Sequence, residues 1–251
     1  MFLDSVRFPK EEENYPFSCV RNAEELRVTS AVSLFCGGNG AGKTTLIELI
    51  AQKYGCPFIG EGREKFSKAL LNKIQISKTQ FPKQVFRFSA EEFMSYTLWQ
   101  KRAAREAKEE IERAKREFKG VAAGFAAMPH FRTLAEIENM YGRELTECSH
   151  GEGFIEFFKS RVREGGLYFL DEPEGALSYE NQYRLGFLIR ERAKENCQFV
   201  IATHSPVLLL IPDAAIYEIK DGAIQEKNFD DLEDIRFLEM FLRRRGKNMF
   251  D

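Results

Sequence analysis

Hydrophobic positions along the 251-residue chain fall into short unbroken runs, separated by stretches in which apolar residues recur every three or four positions. The run "VTSAVSLFCG" (28 to 37) is β-rich and predicts a strand. After it, "KTTLIELIAQKYG" (43 to 55) sets Leu46, Ile47 and Ile50 at helical spacing before a glycine stop. Further strands are expected at "QVFRFSA" (84 to 90), "GLYFLDE" (166 to 172) and "QFVIATH" (198 to 204), and a helix over 179 to 196 separates the last two. Strands that are apolar throughout, alternating with helices, predict an α/β fold with a mostly parallel sheet flanked by helices. The tail reads as a hairpin about Asp221-Gly222 followed by a closing helix over 231 to 245, whose final arginines suit the helix dipole.

The middle of the chain has a different texture. "TLWQKRAAREAKEEIERAKREFK" (97 to 119) is almost wholly helix-forming, with Ala104, Ala107, Ile111, Ala114 and Phe118 three and four apart. This stripe is short and built on small residues, so it predicts packing on a neighbouring helix and not a long coiled-coil arm. Glu109 with Arg113 and Glu112 with Arg116 are expected as ion pairs on the exposed side, each worth about 0.3 to 0.5 kcal/mol. The expected organisation is a single domain over 1 to 251. It comprises an N-terminal β segment with the glycine-rich loop (1 to 90), a helical lobe (91 to 150) and a closing part (151 to 251).

Composition narrows the classes. Hydrophobic residues make up 43% of the chain, enough for a sizeable core, and 37 basic residues nearly balance 39 acidic ones, so bulk charge gives no argument for nucleic acid. The five cysteines show no CxxC or metal-like spacing and suit a reducing cytosol. Asp4 interrupts the N-terminal apolar stretch and "VLLLI" is too short to cross a bilayer, so a cytoplasmic protein without membrane insertion is expected.

The chemistry is concentrated in four places. "GGNGAGKTT" has the spacing GxxxxGK[ST], which composition alone would produce in about one chain in a hundred of this length. It sits between a predicted strand and a predicted helix, where backbone N–H groups and a helix N-terminus can cradle phosphates. Gly37, Gly38, Asn39, Gly40, Ala41, Gly42, Lys43, Thr44 and Thr45 are therefore the candidate nucleotide-binding residues. Lys43 would reach the β and γ phosphates and the Thr44 hydroxyl would bind Mg²⁺. In "LYFLDEPEGALS", Asp171 ends an apolar strand and presents a carboxylate to the metal, while Glu172 is directed differently and suits orienting a water. In "IATHSP", His204 ends another strand, and the topology would bring it to the same sheet edge, within reach of a γ-phosphate. The fourth is "ECSHGEGF" (147 to 154), which also reads as an N-cap serine with an acid three residues on.

The Ser-X-Gly core of that last stretch resembles the signature turn of ABC-type ATPases, Leu-Ser-Gly-Gly-Gln. Ser149 and Gly151 match it, while Cys148 replaces the leucine, His150 the first glycine and Glu152 the glutamine. Together the four motifs resemble those of small stand-alone ATPases of the ABC class, an AAA-labelled group related to the recombination and DNA-repair ATPases. The resemblance implies a Mg²⁺-dependent ATPase whose ATP-bound form is a head-to-tail homodimer, with the signature residues of one chain covering the γ-phosphate held by the other. It implies Glu172 as the water-positioning residue, His204 as the γ-phosphate sensor and Lys43 as the phosphate cation. Transporter ATPases carry a glutamine in the loop facing their membrane partner; "FRFSAEEF" offers Glu91 or Glu92 there. DNA or an effector protein is the expected partner. A nucleotide-gated clamp with little turnover, a transporter ATPase subunit and a small-molecule kinase remain alternatives. Tyr15 and Phe17 are candidates for stacking on a base.

Overall fold

The computed structural model describes residues 1–9, 16–20, 22–56, 65–141 and 150–245. Its centre is a six-stranded sheet built from β3 (Val32–Cys36), β5 (Gln84–Ser89), β6 (Gly166–Asp171), β7 (Gln198–Ala202), β8 (Ala215–Lys220) and β9 (Ala223–Lys227), ordered β5-β6-β7-β3-β8-β9. All neighbours are parallel except β8 and β9, which pair antiparallel about Asp221-Gly222 as the turn chemistry predicts. A separate antiparallel sheet joins β1 (Ser5–Arg7), β2 (Glu25–Arg27) and β4 (Gln75–Ser77) in the order β2-β1-β4.

The unbroken apolar runs are explained by burial on both faces. Along β6, Leu167 and Phe169 enter one core, while Tyr168 and Leu170 enter the other. The first core lies under helix α1 (Lys43–Tyr54) and the small antiparallel sheet. The second is filled by α5 (His150–Arg161), α6 (Tyr179–Lys194) and Ile235 of α7 (Glu233–Arg244). Each fully buried aromatic of β6 and β7 contributes about 1.5–3 kcal/mol, which makes these two strands the centre of the fold.

The long strand predicted over 28 to 37 is interrupted. β3 begins only at Val32, because the Ser30 hydroxyl donates to the Asp213 carbonyl and accepts from the Val32 N–H, turning the chain before the sheet starts.

The first helix of the lobe starts earlier than the helix-forming stretch from 97 indicates. α3 runs over Ala90–Glu117, and α4 (Val121–Tyr141) returns alongside it. Ala104, Ala107, Ile111 and Ala114 are buried; Ile111 and Ala114 form a small core with Ala126, Ala127 and Leu134 of α4. Phe118, expected in that stripe, is 46% exposed, because the helix ends at Glu117 and Phe118 is extended. The exposed ion pairs also differ from expectation. Arg113 turns to Glu117 at 2.9 Å and Glu110 at 3.5 Å, and Glu112 meets Lys115 at 2.7 Å. On a helix this rich in charge several three- and four-residue pairings compete within a few tenths of a kcal/mol. A hydrophobic stripe gives no warning of α4, which carries apolar residues around most of its circumference and Pro129 inside it.

The lobe is anchored at its foot. Phe88 on β5, Phe93 on α3 and Phe154 and Phe157 on α5 form a buried aromatic cluster with centroid separations of 4.9 to 5.9 Å. Ser89 caps α3 in a reciprocal box with Glu92, at the end of the strand that lies beside Asp171.

Candidate functional site

Parallel pairing brings the carboxyl ends of β3, β6 and β7 to one edge of the sheet, and the loops that leave those ends carry the predicted chemistry. After β3, the chain turns through Gly37, Gly40 and Gly42, with φ of 141°, 77° and 98°. Gly37 has a second constraint: a Cβ there would stand 2.4 Å from the Ile219 carbonyl oxygen of β8. Gly42 is the N-cap of α1 and gives no side-chain cap. The N–H groups of the first turn therefore face the loop without the usual serine or aspartate partner, an arrangement suited to an anion.

Lys43 is only 4% exposed, and its ammonium donates to the carbonyls of Gly37 at 3.0 Å and Gly38 at 3.2 Å. Burial pushes its pKa below the ordinary lysine range, and the surrounding negative groups, Glu172 foremost, oppose that shift. One residue on, the Thr44 hydroxyl donates to Asp171 Oδ1 at 3.0 Å across a sequence separation of 127 residues. Asp171 is 6% exposed, and burial lifts its carboxyl to about pKa 6 against the Thr44 hydrogen bond and the charge of Arg87.

This pair fits a hard divalent cation. Both groups offer oxygen, and 3.0 Å is the separation of adjacent ligands in an octahedron with bonds of about 2.1 Å, the length magnesium demands. The desolvated carboxylate would also be relieved by a cation.

Glu172 follows Asp171 with φ 45° and ψ 52°, the left-handed region, so its side chain leaves the strand in a new direction. Its Oε1 lies 3.4 Å from His204 Nε2, which joins the ends of β6 and β7. The sheet thus places Lys43, Thr44, Asp171, Glu172 and His204 at one rim.

Two clefts flank this rim. One, of about 760 Å³, is lined by Gly37, Gly38, Asn39, Gly40, Ala41, Gly42 and Thr45, and is closed by Pro16, Ser18, the β8–β9 turn and the start of α7. The other, of about 970 Å³, runs past Thr44, Asp171 and Glu172 to the foot of α3. Of the two acids expected in the loop there, Glu92 is committed to capping α3 and to Arg87 at 3.2 Å, while Glu91 is exposed on the cleft wall.

The candidate signature residues divide. His150, Gly151 and Glu152 open α5, with Gly151 buried and Glu152 exposed. Ser149 and Tyr15 lie outside the described residues. Phe17 starts a 3-10 turn, Phe17–Val20, beside the first cleft.

Two groups at the rim escaped the sequence reading. Arg87, on β5, is nearly buried and bridges Glu48 of α1 at 3.0 Å to Glu92 of α3. Glu174, two residues beyond Glu172, accepts from the backbone N–H of His204 through Oε1 at 2.5 Å. A basic residue inside an apolar strand was the available signal for Arg87; Glu174 offered none beyond its place after Glu172.

A family model described as ABC transporter matches residues 28–175, and one described as AAA domain matches residues 154–210. Among solved structures, an ATP-binding cassette of an ABC transporter covers 96% of this chain and 99% of its own at 16% identity, with a TM-score of 0.52. A nucleotide-free ATP-binding cassette from an ABC transporter covers 100% and 99% at 14% identity and 0.49. The SMC head domain from Thermotoga maritima covers 91% and 99% at 14% identity and 0.46. No curated protein matches the chain in sequence. The fold is that of the P-loop ATPases of the ATP-binding-cassette type.

Proposed function

The chain belongs to the ABC transporter family, and from that premise we propose that it binds Mg²⁺·ATP and hydrolyses the β–γ phosphoanhydride bond. The observation that carries this reading is the convergence at one sheet edge of the glycine loop, the buried Lys43, the Thr44–Asp171 pair and the Glu172–His204 pair.

In this reading the loop from Gly37 to Thr45 wraps the phosphates, and Lys43 exchanges its two carbonyl acceptors for phosphate oxygens. Thr44 and Asp171 would hold Mg²⁺, which when bound offsets the charge of the phosphates. Glu172 accepts a proton from a water as the water oxygen bonds to the γ-phosphorus and the bond to the bridging oxygen breaks, leaving ADP and phosphate. His204, 3.4 Å from Glu172 through Nε2, would orient that carboxylate and sense the γ-phosphate.

A shared site in a head-to-tail dimer is the accompanying proposal. α5 begins at His150, directly after Ser149, with Glu152 in its first turn and Gly151 buried. Ser149, His150, Gly151 and Glu152 of one copy would cover the nucleotide held by the other, so that ATP closes the dimer and hydrolysis releases it. The work of that switch is done on DNA or on a partner effector protein in the cytoplasm, by an ATPase related to the DNA-repair ATPases. Glu91 or Glu92, where a transporter subunit carries glutamine, supports that choice. Among the described residues no helix is long and apolar enough to cross a membrane.

Phosphate release from ATP by the purified chain, with and without Mg²⁺, tests the reading. Metal-dependent release that Glu172→Gln abolishes is expected; release unchanged in that variant overturns it.

A further inference from the structure

The turn that carries His204 is held at several points. The Thr203 N–H donates to Phe35 O of β3, and the Ser205 N–H donates to Thr203 Oγ1. Ser205 Oγ donates to Gln182 Oε1 and accepts from the N–H groups of Val207 and Leu208, while Gln182 Nε2 donates to the Leu177 carbonyl. The N–H of His204 itself goes to a side chain from a different loop, Glu174 Oε1.

That loop is the one that bears Glu172. Two carboxylates two residues apart thus meet the same histidine, Glu172 at its ring and Glu174 at its peptide. The second oxygen of Glu174, Oε2, is buried and meets no donor among the described residues. A buried carboxylate oxygen without a donor is unfavourable. The peptide contact holds the backbone from which the imidazole projects towards Glu172.

We propose that Glu174 is a positioning residue for the hydrolytic step: its Oε1 pins the His204 peptide to the loop that carries Glu172, and so sets the His204–Glu172 contact. The proposal rests on the ATPase reading. What matters in it is a hydrogen-bond acceptor at that point and not the negative charge.

Two variants separate these. Glu174→Gln keeps a carbonyl oxygen able to accept from the His204 N–H, whereas Glu174→Met keeps the length and apolar stem and removes the acceptor. In the nucleotide-free full-length chain, hydrogen exchange at the His204 amide reads the contact itself, independently of turnover. Glu174→Met is expected to speed that exchange at least about tenfold and to lower kcat by about 10- to 100-fold with little change in KM for ATP. Glu174→Gln is expected to remain within about threefold of wild type in both. A Gln variant as impaired as the Met variant overturns the proposal in favour of charge. Unchanged exchange in Glu174→Met overturns the contact, and faster exchange with wild-type kcat reduces it to structure alone. A wild-type chain that releases no phosphate overturns the ATPase reading and the kinetic role together, with the exchange result still deciding the contact.

Discussion

The Thr44 hydroxyl stands 3.0 Å from Asp171 Oδ1, and this contact closes the gap between the glycine loop and the strand two places away in the sheet. Burial at this point leaves the carboxylate in a site that disfavours its charge, against the Thr44 hydrogen bond.

Burial raises the folded pKa of Asp171 from 3.8 to about 6, so the folded chain holds the proton more tightly than the unfolded one. The stability this supplies is present below about pH 4 and is lost as pH rises through about 6. Asp171→Asn removes the cost of the charge. In metal-free buffer it should therefore be more stable than wild type at pH 7.5, by on the order of 2 kcal/mol, with the difference vanishing near pH 4. Thermal melts at the two pH values decide this. The variant should also lose the extra stabilisation that Mg²⁺ adds to ATP.

Among the described residues, Lys43 is held by two backbone carbonyls and hydrogen-bonds no side chain. Lys43→Ala should leave the fold intact and weaken ATP binding severely, by about a hundredfold or more, since charge-assisted contacts to phosphate are strong. Calorimetry showing wild-type affinity would rule out the loop as the phosphate site.

Glu172→Gln keeps the size and hydrogen-bonding reach of the side chain and removes its capacity to take a proton. Turnover should fall by at least about a hundredfold while ATP affinity stays within a few-fold of wild type. Rapid-quench measurement of a single turnover gives the answer; a wild-type rate would assign the proton to another group.

Gly37 and Gly38 are adjacent in the loop and differ sharply in what a methyl group would meet. At Gly37 a Cβ collides with the Ile219 carbonyl at 2.4 Å and the φ of 141° is unsuited to alanine, whereas at Gly38 nothing lies within 4 Å. Gly37→Ala should cost about 2 to 4 kcal/mol of stability and Gly38→Ala less than about 1 kcal/mol. Chemical denaturation of the nucleotide-free proteins compares them directly, and equal losses would contradict the close approach to β8.

For a site shared between copies, mixing is the test. Ser149→Arg should bind ATP yet neither dimerise nor hydrolyse, and Lys43→Ala should be inactive through lost binding. Combined, one chain supplies an intact loop and the other an intact signature, so part of the activity should return. Hydrolysis by monomeric Ser149→Arg at the wild-type rate would leave the "SHGEG" stretch as a helix start only.

What could be read from the sequence was what local chemistry announces. Glycines at fixed spacing between a strand and a helix, and acids or a histidine ending apolar runs, put Gly37 to Thr45, Asp171, Glu172 and His204 at one sheet edge, where they stand. Glu174 was opaque because its partner is the peptide of a residue thirty positions away, and a backbone N–H carries no signature in sequence. Arg87 was opaque because its partners lie on two different helices. Helix α4 escaped because a helix apolar on most sides shows no stripe, and a proline within it argues for a break.

The capped foot of α3 has a mechanical consequence. Ser89, which caps the helix, is paired in register with Asp171 at the ends of adjacent strands. From there 28 residues of continuous helix, braced by α4, extend about 42 Å at 1.5 Å per residue. Over that length any tilt at the foot, beside the candidate metal site, is amplified: a tilt of about 5° would carry the tip, with Val121 and Phe125 on its surface, through about 4 Å.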